Sequence, residues 1–355
     1  MLSPRPIALA LLTGLLLGIS AMTAQADKPK PEIPQPKPVV NLIFDTDLGN
    51  DIDDAMALAT IHALENRGEC KLLAVTVTKD NEDAAPAVDA INTFYGRGDI
   101  PIGVVKGGVT PEDSPYAKHL ARCKDGDKFR FPHDLINGSD APDATEVLRK
   151  TLASQPDGSV VILQVGFSTN LARLLDSQPD AIAPLSGKDL VKKKVAILSV
   201  MAGKFDKTKK EHNFGEYNIV KDLPAAKKVF AEWPTPIVAS GWEIGEACRV
   251  QAASIVQDYN YVEHHPVKEG YLIYCKMPHN RPLYDLTSVL YAVRPDRGYF
   301  TLSKPGKIVI EDDGFSQFTE EAGGPHRFLT VDPVQQALVS ESLSVLSSEP
   351  PKKQQ

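Results

Sequence analysis

The chain has 355 residues, 42% hydrophobic and 24% charged, with 39 Lys+Arg against 46 Asp+Glu and a net charge of −7. That acidic balance argues against nucleic acid as a partner. Its four cysteines, Cys70, Cys123, Cys248 and Cys275, are far apart without C-x-x-C spacing, which speaks against a zinc site or a disulfide scaffold; one or two bridges in an oxidising compartment stay open.

The N-terminal stretch MLSPRPIALALLTGLLLGISAMTAQA carries Arg5, an apolar run from Ile7 to Met22 and the sequence Ala24-Gln25-Ala26. It reads as a signal peptide, residues 1–26, cleaved before Asp27. Two glycines and a serine break the apolar run, which is shorter than the roughly 20 residues a membrane-spanning helix needs. Export is therefore expected, to the periplasm or out of the cell, with no membrane contact after cleavage. Cleavage removes only Arg5 among the charges and leaves a net charge of −8. Residues 27–38, DKPKPEIPQPKP, read as a Pro/Lys-rich linker. One folded domain is expected over 39–347, and a disordered tail over 348–355.

Within that domain, short apolar runs alternate with amphipathic stretches. VVNLIF is followed by a helical period over 54–65, CKLLAVTV by one over 84–95, then come IPIGVV, a helix over 143–153, SVVILQV, KVAILSV and TPIVAS. Continuous apolar strands between helical periods predict an α/β fold: an open, mostly parallel, Rossmann-like sheet with helices on both faces. Ligands of such sheets bind at the carboxyl ends of the strands. Leu58, Ile61 and Leu64 share one face of the first helix. Two polar stretches, 106–141 and 203–215, follow strand-like segments and read as mobile loops over a site.

The stretch IFDTDLGNDIDDAMAL, at the end of the first strand, crowds Asp45, Asp47, Asp51, Asp53 and Asp54 around one turn, with Asp285 as a distant candidate partner. So many like charges destabilise a fold unless something positive sits among them, and a bound cation is the simplest solution. The spacing fails as an EF-hand, which wants Gly at its sixth position and Glu at its twelfth, where this chain has Asn50 and Met56. A phosphatase of the haloacid dehalogenase type also places D-x-D after its first strand, but that leaves Asp51, Asp53 and Asp54 unexplained. Asp53 and Asp54 also have a structural reading as caps of the following helix. Carboxylates without nearby His or Cys suit a hard cation, calcium or magnesium.

DTDLGNDIDDA resembles the aspartate signature of the nucleoside hydrolase family, typified by inosine-uridine preferring nucleoside hydrolase. LLAVTVTKDN (72–81), VGFSTNLARLL (165–175), SVMAG (199–203), EYNIVKDLPAA (216–226), PIVASGWEIG (236–245) and YDLTSVLYAVRP (284–295) resemble further family blocks in the same order. The resemblance implies the nucleoside hydrolase fold and calcium-dependent hydrolysis of the N-glycosidic bond of ribonucleosides or related ribosyl compounds, with a homo-oligomer as the common assembly. It implies Asp47 as the base that also touches calcium, Asp54, Asp285 and the Val165 carbonyl as further ligands, and Asp53 on a ribose hydroxyl. Asn81, Glu216 and Asn218 correspond to residues that grip the sugar, and His133 to a histidine near the pocket.

Two features depart from better-known members. Two extra residues, Asp51 and Ile52, separate Asp47 from the Asp-Asp pair, so Asp51 could supplement a ligand. Tyr284 stands where many members have His as a leaving-group acid; a neutral tyrosine is a weak acid at pH 7 but can stack on a base. SGWEIG and YDLTSVLYAVRP resemble a divergent, often exported, bacterial branch, and Tyr284 keeps a second function open: a calcium-dependent sugar- or nucleoside-binding protein without catalysis.

Overall fold

A computed structural model describes residues 38–211 and 214–352. The expected signal peptide and the expected linker, except for Pro38, lie outside the described residues, as do 353–355 of the expected tail.

The described strands are β1 (Val40–Thr46), β2 (Cys70–Val77), β3 (Ile102–Val104), β4 (Lys124–Asp125), β5 (Lys128–Phe129), β6 (Val160–Gln164), β7 (Val195–Met201), β8 (Ile237–Ser240), β9 (Thr301–Leu302), β10 (Gly306–Ile310), β11 (Ser316–Glu320) and β12 (His326–Thr330). The main sheet runs β11-β10-β12-β8-β7-β6-β1-β2-β3, with β9 beside β12. From β3 to β12 every pairing is parallel, whereas β10, β11 and β9 add antiparallel pairs. The segment 301–330 lacks the long apolar runs of the parallel strands: β10 is GKIVI, alternately buried and exposed, as an edge region facing water on one side requires. Those four strands were not predicted.

Along β1, Leu42 and Phe44 belong to one hydrophobic core and Ile43 to the other, because successive side chains point to opposite faces. The helices Asp53–Asn66, Tyr284–Val293 and Pro333–Ser347 cover the first face. Ala144–Ala153, Thr169–Asp176, Gly187–Lys194 and Leu223–Glu232 cover the second. The helix Asp53–Asn66 is buried on every side from Asp53 to Leu64, not only along the Leu58, Ile61 and Leu64 face, because the sheet and four other helices enclose it.

The segment 106–141 contains the helix Pro115–Arg122, the β4–β5 hairpin and a short 3-10 turn, Gly138–Asp140, so it is more ordered than the loop expected from sequence. The tail also begins differently: Ser348 is buried and Glu349 accepts from Arg67 Nε at 2.9 Å. All four cysteines are free. The helices Pro115–Arg122 and Pro266–Tyr274 pack antiparallel, with Tyr116 facing Tyr274 and His119 bonded to Glu269, so Cys123 and Cys275 follow opposite ends of the pair. Among the described residues no helix is long and apolar enough to cross a membrane.

β1 has β2 on one side and β6 on the other, so the chain's direction of travel across the sheet reverses there. The crevice beyond the carboxyl ends of β1 and β6 is the switch point where parallel sheets bind ligands.

Candidate active site

The backbone delivers three carboxylate-bearing segments and one carbonyl to that crevice. Pairing of β1 with β6 sets Asp45 beside Gln164, and Val165 N donates to Asp45 O at 2.8 Å, which brings the Val165 carbonyl next to Asp47. Gly166 makes this approach possible: a Cβ there would lie 2.6 Å from Asp47 N and 2.5 Å from Thr78 Oγ1. Gly49, at φ +116°, reverses the chain after Asp47, and the Tyr116 hydroxyl pins the turn by accepting from Gly49 N at 2.6 Å and donating to the Asp51 carbonyl. The helix beginning at Tyr284 presents Asp285 from its first turn.

Asp47, Asp51, Asp285, the Val165 segment, Glu216, Asn218 and Tyr284 line one cavity of about 190 Å³, together with Met201, Tyr217, Trp242 and Arg281. Asn81 and His133 are not brought there. Asn81 Oδ1 accepts from Asp83 N at 2.9 Å, shaping the turn into the helix Ala84–Phe94, and the residue borders a neighbouring cavity with Lys79 and Lys106. His133 sits beside the β4–β5 hairpin, its Nδ1 2.7 Å from the Phe131 carbonyl and its ring against Phe129.

In and around the cavity, which Asp53 and Asp54 do not themselves line, several side chains make contacts that the resemblance did not imply. Asn218 Nδ2 donates to Val165 O at 2.7 Å and to Met201 O at 3.2 Å, so it orients the carbonyl that the sequence reading made a ligand. Glu216 accepts from the backbone N–H of Gly203, Asn218 and Ile219 and caps the helix Tyr217–Lys221. Both oxygens of Asp53 are engaged: Oδ1 accepts from Arg281 Nη2 at 2.6 Å and Nε at 3.1 Å, and Oδ2 from Asp285 N at 3.4 Å. Asp53 is thus a buried counter-ion here, not an open sugar ligand. Neither Asp53 nor Asp54 caps its helix through its side chain. Asp54 instead accepts from Thr46 Oγ1, and its Oδ2 is buried with no partner. Tyr284 donates to Glu246 Oε1 at 2.6 Å, and its ring stacks with Trp242.

Burial dominates the electrostatics. It pushes Asp47 up to about 6, and Asp53, Asp45 and Glu216 up to about 7, despite hydrogen bonds that pull the other way. Asp54 and Asp285 are raised further by burial and by their carboxylate neighbours. Asp45 is the structural member, accepting from Thr76 Oγ1 at 2.6 Å and Asn170 Nδ2 at 2.8 Å and so tying β1 to β2 and to the helix after β6. Carboxylate oxygens of Asp51, Asp53 and Asp285 lie within 4.8 Å of one another. This cluster of oxygen donors, with a buried, unpartnered oxygen on neighbouring Asp54, fits a hard divalent cation.

Residues 42–331 match the family profile described as inosine-uridine preferring nucleoside hydrolase. The chain belongs to the nucleoside hydrolase family. No curated protein sequence matches the chain. Solved structures share the fold: a plant nucleoside hydrolase, PpNRh1, has 20% identity and a TM-score of 0.63, the match covering 88% of this chain and 100% of that one. The inosine-uridine preferring nucleoside hydrolase from Bacillus anthracis has 18% identity and a TM-score of 0.62, covering 87% and 100%. The type III effector XopQ, complexed with adenosine diphosphate ribose, has 16% identity and a TM-score of 0.62, covering 88% and 95%. The family's chemistry is hydrolysis of N-glycosidic bonds in small nucleosides, it is metal-dependent, and the aspartate cluster of this nucleoside hydrolase could hold the metal.

The sequence reading missed Arg281, Asn50, Trp242 and Glu246. Asn50 Nδ2 donates to Asp47 Oδ2 at 2.7 Å and Lys79 Nζ to Asn50 Oδ1 at 2.9 Å, a relay that ties Asp47, through a neighbour within the signature, to Lys79 outside it. A signal for Arg281 was present, since five crowded aspartates require a counter-charge and an arginine stands four residues before Asp285.

Proposed function

We propose that this nucleoside hydrolase is an exported, calcium-dependent N-ribohydrolase acting on ribonucleosides or related ribosyl compounds. The observation that carries the reading is the cavity at the β1–β6 switch point lined by Asp47, Asp285, Val165 and Asn218, whose amide holds the Val165 carbonyl, with Asp54 near enough to Asp47 and Asp285 for their charges to act on it and with one of its oxygens unpartnered. Asp47, Asp54, Asp285 and the Val165 carbonyl would hold calcium, which when bound supplies Lewis-acid polarisation of the attacking water and a chelate for vicinal hydroxyls.

Asp47 acts as general base: the Asn50 amide fixes its orientation, and burial raises its affinity for a proton above that of an ordinary carboxylate. Breaking the C1′–N bond places positive charge on the sugar, and the surrounding carboxylates stabilise it. Trp242 and the Tyr284 ring offer an aromatic wall for a departing base. Because the Tyr284 hydroxyl is committed to Glu246, leaving groups that need no proton are favoured. The adenosine diphosphate ribose held by XopQ supports keeping the ribosyl class wide.

The test is hydrolysis of inosine, uridine, adenosine and p-nitrophenyl β-D-ribofuranoside by the protein lacking residues 1–26, with calcium and with chelator. Chelator-sensitive nitrophenolate release is expected. No release from any of the four by protein that binds calcium would overturn catalysis and favour the binding-protein reading, to which the committed Tyr284 hydroxyl already lends support.

A further inference from the structure

Arg281 is the one group the nucleoside hydrolase chemistry leaves unexplained. Its side chain is 11% exposed, lines the cavity, and forms ion pairs with both Asp53 and Asp51. Its guanidinium lies over the rings of Tyr274, at 5.2 Å, and Tyr284, at 5.5 Å, and Nη1 donates to the Tyr274 hydroxyl at 3.2 Å. A permanent cation is therefore clamped on two of the three carboxylates whose oxygens come within 4.8 Å of one another. One of those two, Asp51, belongs to the two-residue lengthening of the signature, whose turn is pinned by Tyr116.

A guanidinium and a divalent cation compete for the same oxygens and repel one another in a poorly hydrated site. Arg281 cannot lose its charge, so unlike a lysine it cannot yield by releasing a proton. The planar fork also holds Asp51 and Asp53 in fixed orientations, so their bonded oxygens are committed to Arg281 although both carboxylates lie close to Asp285.

We propose that Arg281 is a positioning residue that divides the aspartate cluster in two, reserving Asp51 and Asp53 as its own counter-ions and thereby weakening the site's affinity for a divalent cation. This rests on the proposed metal-binding reading of the cluster. Its consequence is that the extra carboxylate of the lengthened signature offsets the arginine and does not add a ligand.

Isothermal calorimetry of metal-free protein with calcium chloride tests it, on wild type, Arg281→Met, Arg281→Gln, Arg281→Lys, Asp51→Asn and the double variant Arg281→Met/Asp51→Asn, each checked for fold by circular dichroism. Arg281→Met should bind calcium about tenfold tighter or more, because repulsion goes and two carboxylates are freed. Arg281→Lys should stay near wild type, and Asp51→Asn should cost more affinity in the Arg281→Met background than alone. If Arg281→Met does not fold, Arg281→Gln carries the same expectation. Equal or weaker calcium binding by the neutral variants, or strictly additive effects of the two substitutions, would overturn the proposal while leaving the calcium reading in place. Calcium binding by a neutral variant but not by wild type would support it. Absence of binding by every folded variant would remove the calcium reading and this proposal together.

Discussion

Asp51 and Asp53 meet a guanidinium; Asp47, Asp54 and Asp285, in the same crevice, have no ion pair with a basic side chain among the described residues. Both groups draw on the same turn and the same helix start at Asp53, with Asp285 added from a second helix, so the backbone at the turn does not distinguish them. The difference lies in who supplies the positive charge. The Arg281 group is compensated from within the chain, and separating a buried pair of this kind costs roughly 3–5 kcal/mol. The other group has no such partner; burial raises Asp47, Asp54 and Asp285, and raises Asp53 as well in spite of Arg281, so the guanidinium contact and not the direction of the pKa shift is what sets the two groups apart. A compensated carboxylate is a fixed part of the scaffold, whereas an uncompensated one can take up a metal or a proton and so take part in chemistry.

The largest expected effect falls on the uncompensated group. Asp47→Asn keeps the shape of the side chain and its contact with Asn50 but removes the base, so kcat should fall by about 10³-fold or more while the thermal midpoint of the metal-free protein holds or rises. Nucleobase release and differential scanning calorimetry on the same preparation check both halves. Turnover within a factor of ten of wild type would strip Asp47 of its role as base and move the chemistry to another carboxylate.

A second expectation concerns pH. Burial raises Asp47 to about 6 and Asp45 and Asp53 to about 7, above an ordinary value of 3.8 in the unfolded chain. Between those values the folded state holds protons that the unfolded chain has released, so stability is full below the ordinary value and is lost as pH rises through about 6 to 7. The metal-free protein should melt at progressively lower temperature from about pH 5 to about pH 8, at roughly 2–4 °C for each kcal/mol lost. Saturating calcium should flatten the part of that slope that belongs to Asp47, through about pH 6, since the cation replaces the proton there, and should leave the Asp45 and Asp53 part in place. A metal-free midpoint that rises over this range, or a slope that calcium leaves unchanged, would contradict the division of the cluster into two groups.

How much of this was legible in the sequence follows from the range over which each feature is encoded. The parallel strands from VVNLIF to TPIVAS are local apolar runs, and the switch point follows once Asp47 is placed after β1. Asp47, Asp285, Glu216, Asn218 and Tyr284 do meet in one cavity, although Asn218 serves the Val165 carbonyl and Glu216 serves a helix cap. Asn81 and His133 lie outside that cavity, where an Asn before a helix and a His near a hairpin have local uses, a turn and a carbonyl contact, that a motif match does not weigh. Arg281 was missed because its partners lie 228 and 230 residues away in the chain. Nothing local to HNRPLYDL distinguishes a guanidinium that neutralises a distant turn from one that is solvated.

Tyr284 gives the smallest expected effect and the finest test of the boundary between the two groups. It precedes Asp285 in the chain, yet its ring lies under Arg281 and its hydroxyl donates to Glu246, so it belongs to the compensated side. Burial and Glu246 both raise its pKa above that of an ordinary phenol, which makes it a still weaker acid. Tyr284→Phe should therefore change kcat/KM for inosine and for p-nitrophenyl β-D-ribofuranoside by less than about threefold, under about 0.7 kcal/mol of transition-state stabilisation. The ratio between the two substrates is the decisive readout: the nitrophenyl leaving group needs no proton and a purine does. A selective loss on inosine of about a hundredfold would mean that the hydroxyl leaves Glu246 to protonate the base, and Tyr284 would then act with Asp47 despite its place beside Arg281.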